Sequence, residues 1–286
     1  MVSYICIGIC IVDNNESGIT APLPIEIKCM NVRGRSMDYV AQHISMPREI
    51  KAEKERMPVA YVGLGILEWH GEHNVAGLDG VKADGIARRF AHRFGGVVMP
   101  PQFWGDDRSD ICELQAGIEH TAPICEKMGY DVENIQRNAE RDRLRGRWKL
   151  WIELVKHMFF EMESFGYRCI VPIPGHYPLF KPLEQAIDEY RSEGGTCDIF
   201  TVKDTMFDDT GRAGDHAAKF ETSLMMALYP DMVDIGRLDR DTTRRNIGVI
   251  GEDPRLYASK DFGDEILKKF DSLLEEHLKQ IGLLPL

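Results

Sequence analysis

From residue 58 onward, short apolar runs alternate with helices that carry one apolar face, and this alternation restricts the chain to an α/β fold around a mainly parallel sheet. Pro58-Val-Ala-Tyr-Val-Gly-Leu-Gly-Ile-Leu67 reads as a buried strand, taken to continue to His70. Positions 83, 86, 87, 90, 91 and 94 repeat at the helical period, so Val81 to Phe94 is predicted to be a helix, stopped by Gly95-Gly96. Val97-Val-Met-Pro100 is the next strand, and a polar, glycine-containing stretch of about 102–133 follows it. A helix is then expected from about Asn134 to Phe165, with Trp148, Trp151, Leu154, Val155, Met158, Phe159 and Met162 on its core face. The remainder reads as strand 168–173, helix 179–193, strand 197–202, helix 216–228 and a final amphipathic helix 263–281. The expected architecture is a three-layer α/β/α sandwich, whose ligands sit beyond the carboxyl ends of the strands.

Residues 1–45 show no such period, and Gly18, Pro22 and Pro24 favour loops or edge strands. They are read as an N-terminal appendage to a single catalytic domain over 46–286. The apolar run Tyr4 to Val12 lacks the preceding basic residues and nearby cleavage pattern of a signal segment and is too short to span a bilayer. It reads as a strand or a disordered leader. No other segment approaches the roughly 18 unbroken apolar residues of a membrane span.

A net charge of −11 opposes binding to phosphate backbones and anionic lipid, which argues against nucleic acid and membrane partners. Seven cysteines without a Cys-x-x-Cys pair fit reduced thiols, hence a cytoplasmic location. Neither Gly63-Leu-Gly65 nor Gly95-Gly96 completes a phosphate-binding loop.

The chemistry concentrates in Leu67-Glu-Trp-His-Gly-Glu-His-Asn-Val-Ala-Gly-Leu-Asp79. On a strand reaching residue 70, Glu68 and His70 would project from one face, as two ligands of one metal centre do. Asp79 lies just ahead of a helix, where a carboxylate either caps backbone amides or turns to the same sheet edge. His176 and Tyr177 follow another strand, and His216 and Glu221 open a helix. Trp104-Gly-Asp-Asp-Arg108 lies at the same sheet edge and reads either as pocket wall or as a solvated turn with one buried tryptophan.

In these elements the chain resembles the creatininase family of metal-dependent amidohydrolases. Glu68, His70, Gly71, His73 and Asp79 match its Glu-x-His-Gly-x-His element and following aspartate, Gly175-His176 its second signature, and His216-Ala217 with Glu221-Thr222-Ser223 its third. The resemblance implies a two-metal centre, zinc or manganese, that activates water against a small, cyclic substrate. Carried over, Glu68 and His176 hold one ion, His70 the other, and Asp79 bridges them. The family's namesake has an acidic ligand two residues after its second-signature histidine; that place is Pro178 here, so the role moves to Glu221. His216 is the candidate proton carrier, Tyr177 the candidate hydrogen-bond donor to substrate, and His73 a support for the ligands. A ring-like homo-oligomer is also implied.

Other departures bear on the substrate. Pro174, Leu179 and Ala218 replace the family's usual residues, and residues 175–215 contain no tryptophan where the namesake surrounds creatinine. Two rival readings therefore stand beside the amidohydrolase: a ring-opening carbon-carbon hydrolase of a keto-inositol-like ketone, and a non-catalytic metal-binding relative.

Overall fold

The computed structural model describes residues 29–30, 36–37, 39–202 and 215–286. The leader strand considered for Tyr4 to Val12 lies outside them. Two short strands, β1 (Cys29–Met30) and β2 (Ser36–Met37), pair antiparallel. Next come β3 (Val40–Ala41), α1 (Pro47–Arg56), β4 (Val59–Leu64), α2 (Leu78–Phe94) and β5 (Val97–Val98). The polar stretch after β5 contains the short helix α3 (Cys112–Gln115) and α4 (Ile118–Met128). The rest comprises α5 (Val132–Arg145), α6 (Lys149–Ser164), β6 (Cys169–Pro174), α7 (Phe180–Ser192), β7 (Asp198–Ile199), α8 (Lys219–Leu228), α9 (Pro254–Tyr257) and α10 (Lys260–Gln280).

Five strands form one sheet in the order β3-β5-β4-β6-β7, and every neighbouring pair is parallel. β3 belongs to this sheet, so the end of the stretch set apart as an appendage contributes an edge strand. The central pair runs in register from Val59 opposite Cys169 to Leu64 opposite Pro174. Alternate side chains face opposite ways, as the pleat requires. Tyr61, Val171 and Ile173 pack with residues of α2, α8 and α10, whereas Ala60, Val62, Leu64 and Ile170 pack with those of α6 and α7. Both faces are thus covered, which is why these strands read as continuous apolar runs. No helix among the described residues is long and apolar enough to cross a membrane.

The single helix expected over 134–165 is two. Gly146 has a φ of 93° and Trp148 a φ of 61°, so the chain leaves the helical region between α5 and α6. Trp148 then turns its ring edge-on to Trp151 and donates from Nε1 to Asp110 Oδ2 at 2.9 Å.

Two close backbone approaches place the first turn of α2 at the ends of β4 and β6. A Cβ at Gly65 would stand 2.1 Å from the Gly80 nitrogen, and one at Gly175 would stand 2.0 Å from the Asp79 carbonyl oxygen. Only glycine lets the strand ends come this near, and the approach brings Asp79 over the sheet edge.

Candidate metal centre

β4 stops at Leu64, so Glu68 and His70 reach the sheet end on a loop and not on the strand expected to carry them. The loop is pinned from several sides. Glu68 N donates to Ala76 O at 3.1 Å, the Arg108 guanidinium donates to Leu67 O at 3.2 Å, and Cys112 N donates to Glu68 Oε2 at 2.5 Å. Asp79 is the second residue of α2, inside its first turn, and its carboxylate turns to the sheet end: Oδ1 lies 3.1 Å from His70 Nε2. His176 follows β6, and Glu221 comes from the first turn of α8.

The structure brings all five of these side chains together. Donor atoms of Glu68, Asp79 and His176 lie within 4.8 Å of one another, and so do those of His70, Asp79 and Glu221. All five residues are buried, each at most 5% exposed. Nδ1 of His70 is 3.2 Å from the Glu68 carbonyl, an acceptor that takes the Nδ1 proton and aims Nε2 at the carboxylates.

This concentration of carboxylates calls for positive charge. Burial works against protonating His176, but Glu68 and Asp79 outweigh it and push the imidazole up to about 10. His70 rises likewise to about 9, against burial, through Asp79, Glu221 and Glu68. Burial alone would raise the carboxyl groups; instead His176 and His216 hold Glu68 below its ordinary value, and His70 and His176 hold Asp79 well below its own. A divalent cation supplies the same charge by displacing those protons.

The local geometry fits a cation. His176 Nδ1 lies 2.9 Å from Glu68 Oε1 and 3.3 Å from Asp79 Oδ2, yet both of these buried oxygens lack a hydrogen bond of acceptable geometry. Buried carboxylate oxygens left in this state are costly unless a cation lies between them. Imidazole nitrogen and carboxylate oxygen are donors that zinc and manganese both accept.

His216 stands beside the cluster, its ring stacked on His70 with centroids 4.4 Å apart. Its Nε2 lies 2.6 Å from Trp69 O, so in the neutral ring Nε2 carries the proton and Nδ1 the lone pair, 3.5 Å from Glu68 Oε1. Tyr177 is half-exposed at the mouth of a cavity of about 190 Å³, also lined by Glu68, Cys112, His176, His216 and Glu221. At about 30 Å³ per water, that space holds roughly six water molecules, the scale of a small ligand. His73 stays outside the ligand cluster. It meets Thr222 Oγ1 at 3.1 Å, tying the loop to α8, and burial lowers its imidazole to about 4, which keeps it neutral.

Trp104 is 71% exposed, so the reading of a buried tryptophan in a solvated turn is corrected; its side chain stands in solvent. Three contributors went unread in the sequence. Trp148 stands 6.4 Å from His176, placing an aromatic ring over the centre from outside residues 175–215. Asp215 caps α8, accepting from Phe220 N at 2.6 Å and Glu221 N at 3.2 Å. Lys82 is buried on α2 with Nζ 2.7 Å from Glu221 Oε1. Its position three residues after Asp79 puts it on the same helix face.

An all-parallel sheet with a buried carboxylate and imidazole cluster beyond its central strands defines the class: an α/β protein with a candidate cation centre at the sheet end. The model of the creatininase family, described as creatinine amidohydrolase, matches residues 146–268, the span that carries His176, His216 and Glu221. A creatinine amidohydrolase of Pseudomonas putida is 27% identical, over 63% of this chain and 68% of that protein. The crystal structure of creatininase superposes with a TM-score of 0.59 at 20% identity, covering 85% of this chain and 97% of that one. A putative creatinine amidohydrolase from Bacteroides fragilis superposes at 0.56 with 18% identity, covering 84% and 96%. The chain thus matches the creatininase family model over residues 146–268 and shares the fold of creatininase.

Proposed function

We propose that this chain is a metal-dependent hydrolase that opens the amide bond of a small cyclic substrate. The observation that carries the reading is the pair of buried oxygens, Glu68 Oε1 and Asp79 Oδ2, left without hydrogen bonds beside His176 at the floor of a cavity. The match to the creatininase family model supports it, as do similar structures, which include a Zn-Zn type variant of creatininase and a manganese form.

Glu68, Asp79 and His176 form one triad and His70, Asp79 and Glu221 another, so the donor set has room for up to two ions that share Asp79. When bound, a divalent cation lowers the pKa of a water and polarises a carbonyl. The remaining work falls to side chains. The Trp69 carbonyl holds His216 as the Nε2–H tautomer, and its free Nδ1 faces the cavity, placed to accept a proton and pass it to the departing nitrogen. Tyr177 at the mouth supplies a hydroxyl to a substrate oxygen.

The ketone reading draws on the absent tryptophans and on Tyr177, Asp106, Asp107 and Arg108 near the pocket; of these, the last three are not free to line it. Those side chains are engaged elsewhere: Arg108 with Leu67 O and Asp106, and Asp107 with Ser109 and Arg147. The test is chelation followed by zinc or manganese, with cyclic amides as substrates. Hydrolysis should stop on chelation, return with metal, and release a new amine together with a new carboxylate. Turnover untouched by chelation, or a new carboxylate without an amine, contradicts the reading.

A further inference from the structure

The two triads differ in what their oxygens already hold. In the first, Glu68 Oε1 and Asp79 Oδ2 have only His176 Nδ1 near them, at 2.9 and 3.3 Å, and no hydrogen bond of acceptable geometry. In the second, every offered oxygen has a protein partner. Asp79 Oδ1 meets His70 Nε2 at 3.1 Å, Glu221 Oε1 meets Lys82 Nζ at 2.7 Å, and Glu221 Oε2 accepts from Ala217 N at 2.8 Å. The last contact is built in: Ala217 is held at a φ of 54°, a left-handed conformation unusual for a residue with a side chain, and its amide points at Glu221.

Lys82 is the decisive group. It is 2% exposed, and Glu221, at the cavity wall, is 4% exposed, so both charges are largely withdrawn from solvent. A buried ammonium is kept in place by its carboxylate, and separating the two would strand a charge in the interior. A divalent ion taking Glu221 as ligand would share that one carboxylate with the ammonium, and a single negative charge does not neutralise both.

We propose that the Lys82 ammonium stands in for the second cation, so that the centre binds one divalent ion tightly, at Glu68, Asp79 and His176. This rests on the metal-centre reading above and narrows it: Glu221 positions Lys82 and the α8 terminus, and is not a ligand of a tightly held ion. The expected two-ion occupancy then belongs to a chain without this lysine.

The test is metal content after zinc loading and exhaustive dialysis, for the native chain and Lys82→Met, which removes the charge while keeping the length. The native chain should retain one ion per chain, and the folded variant should gain a second, doubling the content. Two tight ions in the native chain overturn the inference and leave the metal centre standing, as does a folded Lys82→Met that stays at one. No retained ion in the native chain overturns the metal-centre reading and the inference with it. Because the native measurement decides by itself, a variant that fails to fold does not shelter the claim.

Discussion

Both ends of the sheet gather histidine and carboxylate, yet only one end leaves charge unanswered. At the amino end, Cys169 at the start of β6, Asp198 at the start of β7 and His277 of α10 bring donor atoms within 4.8 Å, as close as the triads at the carboxyl end. There the donors satisfy one another. His277 Nε2 lies 2.5 Å from Asp198 Oδ2, the Cys169 thiol donates to the same oxygen at 3.7 Å, and Phe200 stacks on the imidazole. Burial, then Asp198, pushes the Cys169 thiol up, so it stays protonated and is a poor ligand. At the carboxyl end, two buried oxygens remain without hydrogen bonds and two imidazoles are driven towards protonation. Donor spacing is the same at both ends; what separates them is that buried carboxylate oxygens at the carboxyl end lack hydrogen bonds of acceptable geometry.

The largest effect is expected from Asp79→Ala, because Asp79 belongs to both the Glu68–His176 and the His70–Glu221 donor groups. Bound metal should fall to none and hydrolysis to background, while the fold persists by circular dichroism. Normal metal content in the folded variant would remove Asp79 from the centre.

The pH dependence of stability is next in size. His70 and His176 are raised in the fold from their ordinary 6.5 to about 9 and about 10. Each contributes stability that is fully present below pH 6.5 and lost as pH rises through its folded value. The metal-free protein should therefore melt at progressively lower temperature from about pH 6.5 to about 10. The metal-loaded protein should lose less over this window, because the ion replaces the protons. Parallel curves with and without metal would show that these imidazoles do not share a cation.

The smallest effect belongs to the amino end. Side chains of His277 and Asp198 are 18% and 38% exposed, so solvent weakens their pair, and His277→Asn should cost at most about 1 kcal/mol by thermal denaturation. Metal content and hydrolysis should not change. A fall in either would mean that the amino-end cluster also holds an ion.

The layers, the parallel sheet and the convergence at its carboxyl ends were legible because both sheet faces are buried and the apolar periods are long. The side chains that meet there were also legible, though partly through a wrong path. Glu68 and His70 were paired by strand geometry, whereas the strand ends at Leu64 and a loop delivers them. Asp79 was placed before its helix and lies within it. The break between α5 and α6 was hidden because both flanking segments are rich in helix-forming residues, and only Gly146 interrupts them. Lys82 was hidden for a different reason. A lysine in a helical pattern reads as surface, and its burial follows from a partner 139 positions away in sequence, which no local pattern reveals.

The most direct measurement is a crystal structure of the zinc-loaded protein, with the ion located by anomalous scattering. A peak is expected between Glu68, Asp79 and His176, with Lys82 still on Glu221 and no peak at Cys169, Asp198 and His277. An empty carboxyl end, or an ion bound only at the amino-end cluster, would contradict it.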